Sequence, residues 1–151
     1  SDFRMMSRIV PCLSGLALAL GAAALPVAAQ EPTPADQKAA AAAAVQRHFD
    51  AYRSWDLDRF VATFDPNAVV VVDALTANGH AEIRAFSASN FAAEPHTIRV
   101  VESGMSEGLV FVKVAYTFSD GRERCCSNSY YAVENGKVSM LTVSWTGDAR
   151  P

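Results

Sequence analysis

The chain has 151 residues, with 13 Lys and Arg against 16 Asp and Glu and a net charge of −3, so one domain is expected. The mild acidity is spread along the chain, which argues against a nucleic-acid surface and against binding to anionic membranes, since both need a basic patch. The 3 cysteines show no Cys-x-x-Cys or Cys/His spacing, so no metal site and no other cofactor is expected.

From Met5 the sequence reads MMSRIVPCLSGLALALGAAALPVAAQ. A short basic start at Arg8, an apolar run and the small-residue end Val27–Ala28–Ala29 form the three-part pattern of a secretory signal peptide. The apolar run is shorter than the roughly 20 residues of a membrane span, and an uncleaved anchor is the alternative. Residues 1–29 are therefore read as signal peptide, with 1–4 as a non-native or upstream remnant. Removing them leaves 122 residues with 11 cations, 15 anions and a net charge of −4. A periplasmic or secreted protein follows, with no membrane contact after cleavage.

Residues 30–38 form a mobile, Pro-rich lead, 39–147 the domain and 148–151 a tail. ADQKAAAAAAVQRHFDAYRSWD reads as a helix: its alanines are the best helix formers, and Val45, Phe49 and Tyr52 fall on one face. A second, short helix fits DLDRFVATF, with Asp56 as N-cap and Pro66 and Asn67 as its end. AVVVVD is a β-branched strand, LTANG a turn, and HAEIRAFSASNF a third helix. After Pro95 the pattern is β throughout: HTIRVVESGM, LVFVKVAYTF, ERCCSNSYYAV and VSMLTVSW, with hairpin turns at Asp120-Gly121 and Asn135-Gly136. Helices followed by antiparallel strands imply an α+β domain with helices on one face of the sheet. Cys125 and Cys126 are adjacent, and strand neighbours point to opposite faces. A bond between them needs a strained turn, so two free thiols are expected, with an interchain disulfide as the alternative.

The stretches AVQRHFDAYRSWDLDRFVATFDPNAVV, GHAEIRAFSASNF and ENGKVSMLTV resemble the nuclear-transport-factor-2-like superfamily, in its SnoaL-like and ketosteroid-isomerase-like branch. The resemblance implies a cystatin-like cone, a curved antiparallel sheet wrapped over a long N-terminal helix. It implies a small, mostly apolar molecule in that cone. It allows a cofactor-free isomerase, dehydratase or cyclase that works by general acid/base, or a ligand-binding or dimerisation module without chemistry. The isomerase's tyrosine position falls on His48, its base aspartate on Val72, one residue before Asp73, and its protonated aspartic acid near Ser129. None matches cleanly, so steroid isomerase activity is not expected.

His48 and Asp73 are the candidate catalytic pair. Histidine suits proton transfer near neutrality, and a one-residue slip or bulge would turn Asp73 inward beside it. The bland alternatives are a hydrogen-bonded core histidine and an aspartate that closes a strand. The expected ligand-binding wall is Tyr52, Val72, Phe86, Val114, Tyr116, Phe118, Tyr131 and Met140, with the hydroxyls of Ser129, Thr142 and Ser144. Mostly apolar walls with a few polar groups suit a small ligand. A filled core without a cavity is the alternative. Tyr130 and Trp145 are placed on the outer sheet face, where the resemblance implies a homodimer contact. His80 and His96 are expected to be exposed.

Overall fold

A computed structural model describes residues 24–146. Most of the expected signal peptide and the tail 148–151 lie outside the described residues. The chain divides into two units, Ser1–Glu31 and Pro32–Pro151. Of the first, residues 24–31 are exposed and carry neither helix nor strand.

The second unit opens with α1 (Pro34–Arg53), which starts inside the stretch expected as a lead. Its start is fixed by a reciprocal cap. The Thr33 hydroxyl accepts from the Asp36 amide at 3.1 Å, and the Asp36 carboxylate accepts from the Thr33 amide at 3.0 Å. Trp55, at φ 56°, breaks the chain direction, and Asp56 caps the short α2 (Leu57–Val61) through the Arg59 amide at 3.0 Å. The helix ends before Pro66. The strand β1 (Phe64–Val72) already begins at Phe64, so Pro66 and Asn67 sit in an irregular part of the strand rather than after the helix.

The stretch expected as a turn after β1 is itself a strand, β2 (Leu75–Asn78), paired antiparallel with Val72 opposite Leu75. The true turn is only Asp73 and Ala74, and Asp73 takes φ 51° to close it. Then come α3 (Gly79–Ala92), β3 (His96–Ser106), β4 (Leu109–Phe118), β5 (Glu123–Glu134) and β6 (Lys137–Trp145). One six-stranded sheet results, in the order β2-β1-β6-β5-β4-β3, parallel only between β1 and β6. This is an α+β fold: a curved sheet, not closed into a barrel, wraps the helices.

The curvature has local sources. β-Bulges interrupt the register between β3 and β4 at Val101, between β4 and β5 at Cys126, and between β5 and β6 at Ser139. Each extra residue bends its strand and increases the twist. The core lies on the concave side, where Val45 and Phe49 of α1 meet Phe64, Ile83, Val112, Val114, Val138 and Leu141. None of the helices among the described residues is long and apolar enough to cross a membrane.

Cys125 and Cys126 are joined to each other by a disulfide, where free thiols were expected. The strand alternation that argued against the bond does not hold here, because Cys126 is the unpaired residue of a bulge.

Candidate functional site

Between the helices and the concave face of the sheet lies a cavity of about 530 Å³. Helix α1 supplies His48, Phe49 and Tyr52, which sit on one face because they are three and four residues apart. Phe60 of α2 and Phe86, Asn90 and Phe91 of α3 close one side. The strands contribute Phe64, Val70 and Val72, then His96 and Ile98, Val114 and Tyr116, Ser129 and Tyr131, and finally Leu141, Val143 and Trp145.

His48 sits deep in this cavity, 3% exposed. Its ring lies 4.8 to 5.2 Å, centroid to centroid, from those of Phe60, Phe64 and Tyr131. Nδ1 is 2.9 Å from the Thr63 hydroxyl, which itself donates to the Phe60 carbonyl at 2.7 Å. A hydroxyl has one proton, so Thr63 accepts from His48 and Nδ1 carries the hydrogen. Nε2 is left as the lone-pair acceptor of a ring that lines the cavity. Burial among aromatic rings pushes the pKa of His48 down to about 3, so the ring is neutral at physiological pH.

Tyr52 Oη lies 2.6 Å from His96 Nε2, and His96 Nδ1 lies 3.1 Å from the Glu94 carbonyl oxygen. Rings of Tyr52, Trp55, Tyr116 and Phe118 surround His96 at 5.2 to 5.8 Å. The Tyr116 hydroxyl shares a hydrogen bond of 2.8 Å with Ser127. Burial raises the pKa of Tyr52, Tyr116 and Tyr131, so all three phenols stay protonated.

Both members of the expected catalytic pair line the cavity, at different depths. His48 bonds to Thr63, and Asp73 stands at the exposed rim of the cavity beside Ala74 and Leu75. Val70 and Val72 take the inward positions of β1, and only the turn after them brings Asp73 back to the cavity edge.

On β6 the inward set is Leu141, Val143 and Trp145, not Met140, Thr142 and Ser144. The cause is the bulge at Ser139. Val138 is buried, and the next buried residue is Leu141, three positions on, so alternation counted from the Asn-Gly turn is off by one. The same slip carries Trp145 from the outer face to the cavity, where it lies 5.1 Å from the Tyr116 ring. Phe118 is buried, but it packs against His96 and under Arg122 instead of lining the cavity. His96 lines the cavity wall, and His80 is part-buried with Nε2 donating to the Phe64 carbonyl at 2.8 Å, so neither is the free surface group expected. Tyr52, Val72, Phe86, Val114, Tyr116, Ser129 and Tyr131 all line the cavity. Tyr130 lies on the opposite face, 5.2 Å from the Phe111 ring.

A family model for the SnoaL-like domain matches residues 45–140, more than half of the chain. The chain belongs to the SnoaL-like domain family. With it come the fold and the nuclear-transport-factor-2-like superfamily. Solved structures agree on the fold. A candidate polyketide cyclase from Sinorhizobium meliloti is 21% identical at a TM-score of 0.58, over 66% of this chain and 92% of that one. A candidate ketosteroid isomerase from Kribbella flavida is 18% identical at 0.62, over 76% and 84%. SalBIII, an epoxide hydrolase/cyclase-like enzyme of pyran ring formation in salinomycin, is 21% identical at 0.60, over 70% and 90%. No curated protein matches this SnoaL-like chain.

Proposed function

We propose that this SnoaL-like domain is exported, binds a small, mostly apolar molecule in its cavity, and converts it by cofactor-free proton transfer, as a cyclase or isomerase. The observation that carries the reading is the cavity of about 530 Å³ with aromatic walls and few polar groups. A neutral imidazole nitrogen at its depth and a tyrosine–histidine pair on its wall are the groups that can hold or move a proton. SalBIII, the epoxide hydrolase/cyclase-like enzyme among the similar folds, supports this reaction class. The outer face around Phe111 and Tyr130 is the proposed homodimer contact.

A second reading, a binding module without turnover, draws on one observation. A histidine held near pKa 3 is a weak base at neutral pH. Protein purified gently from its native host separates the two. Native mass spectrometry finds a bound small molecule on either reading, and incubation with fresh ligand changes its mass or retention only if the domain is an enzyme. Protein that carries no ligand and takes up no apolar compound would sink both. Export is tested by the N-terminus of the mature protein, expected near Gln30.

A further inference from the structure

Two hydrogen bonds fix the polarity of the Tyr52–His96 pair. The Glu94 carbonyl oxygen, 3.1 Å from His96 Nδ1, can only accept, so Nδ1 carries the ring hydrogen. Nε2 then offers a lone pair, and at 2.6 Å it can only take the proton of Tyr52. Tyr52 spends its single O–H on His96, and its oxygen turns only lone pairs to the cavity. The pair is braced: the Tyr52 ring sits against Trp55, Phe60 and Phe91 at 5.6 to 5.9 Å, and His96 is walled in by Trp55, Tyr116 and Phe118.

From this we infer that Tyr52, set by His96, is a specificity-determining acceptor that selects a ligand bearing a hydroxyl group over one bearing only carbonyl or ether oxygens. Tyr52 touches the ligand, and His96 is a positioning residue that acts through it. His48, which also lines the cavity, adds a second acceptor in its Nε2. The ligand class is therefore an apolar skeleton with a phenol, enol or alcohol. The inference deepens the proposed function and rests on its cavity.

The test uses matched probes, 2-naphthol as hydroxyl donor and 2-methoxynaphthalene as acceptor only, titrated by calorimetry. The native protein is expected to favour 2-naphthol by about fivefold, the worth of one net hydrogen bond. In His96→Phe, which keeps the aromatic packing, the freed Tyr52 proton points to the cavity and the ratio falls to one or below. His96→Gln, whose amide oxygen can accept, restores the preference. An unchanged ratio in His96→Phe overturns the inference. Should that variant not fold, ¹⁵N NMR of the native imidazoles decides it. His96 is expected with hydrogen on Nδ1 and a bare Nε2, and hydrogen on Nε2 overturns the inference. The cavity reading fails separately: it is lost, and this inference with it, if neither naphthalene binds. If both bind equally well, the cavity stands and the selectivity is refuted.

Discussion

His48 is a histidine that the fold keeps neutral. Its unfolded-state pKa is about 6.5, and burial brings the folded value to about 3. The unfolded chain therefore binds a proton that the folded one refuses. The stability held in His48 is complete above pH 6.5 and is lost as pH falls toward 3. Across that window the unfolding free energy of the native protein should drop by up to about 1.4 kcal/mol per pH unit more than that of His48→Phe. Chemical denaturation at a series of pH values measures this, and equal slopes would contradict it. Phe64 tests the core beside it. It is 1% exposed and lies 5.0 Å, ring to ring, from His48. Phe64→Ala should cost about 3–5 kcal/mol in urea unfolding, because the cage cannot collapse around the gap. Most of these site residues were legible in the sequence, since Val45, Phe49 and Tyr52 mark the inner face of α1 and His48 lies beside them. His96 was not. Its partner is 44 residues away, and no local pattern joins a strand's first residue to a helix tyrosine.

At the scale of elements, the local signals were read where the chemistry is local. The alanine-rich helix, the Asp56 cap and the Asn135-Gly136 hairpin follow from residues within a few positions of each other. Asn135 and Gly136 have φ of 50° and 74°, the left-handed pair that a two-residue hairpin needs. A side chain at Gly136 would meet only the Arg47 guanidinium, at an ordinary 3.5 Å. Gly136→Ala should thus cost only the backbone penalty, about 1 kcal/mol, read from the urea midpoint. The same locality explains the failures. A bulge is a property of two paired strands, so the extra residue at Ser139 leaves no mark in VSMLTVSW, yet it exchanges one face of β6 for the other. β2 leaves no mark in the sequence because four residues between a turn and a helix become a strand only when β1 is beside them. The capping box of α1 is open to a direct check. Thr33→Ala removes an acceptor for the Asp36 amide and should lower stability by about 1 kcal/mol.

For the whole molecule, the cone was legible because helix order, the valine strand and the closing hairpin together carry the resemblance that implies it. The cavity inside it was only half legible. Its aromatic character came from composition and alternation, while the identity of its polar groups depended on a bulge, a turn and a distant pair. Outside the cone, the face around Tyr130 and Phe111 is the contact proposed for a second copy. Tyr130→Glu should shift the sedimentation coefficient from dimer to monomer without changing the circular dichroism spectrum, and an unshifted coefficient would place any dimer contact elsewhere. The central claim, that the cavity is a site for a hydroxyl-bearing apolar molecule, meets its most direct test in a crystal structure of the protein soaked with 2-naphthol. The naphthalene ring is expected among the aromatic walls, with its oxygen within about 3 Å of Tyr52 Oη or His48 Nε2. A cavity that stays empty at saturating probe, or a ring bound with its hydroxyl turned away from both, would contradict it.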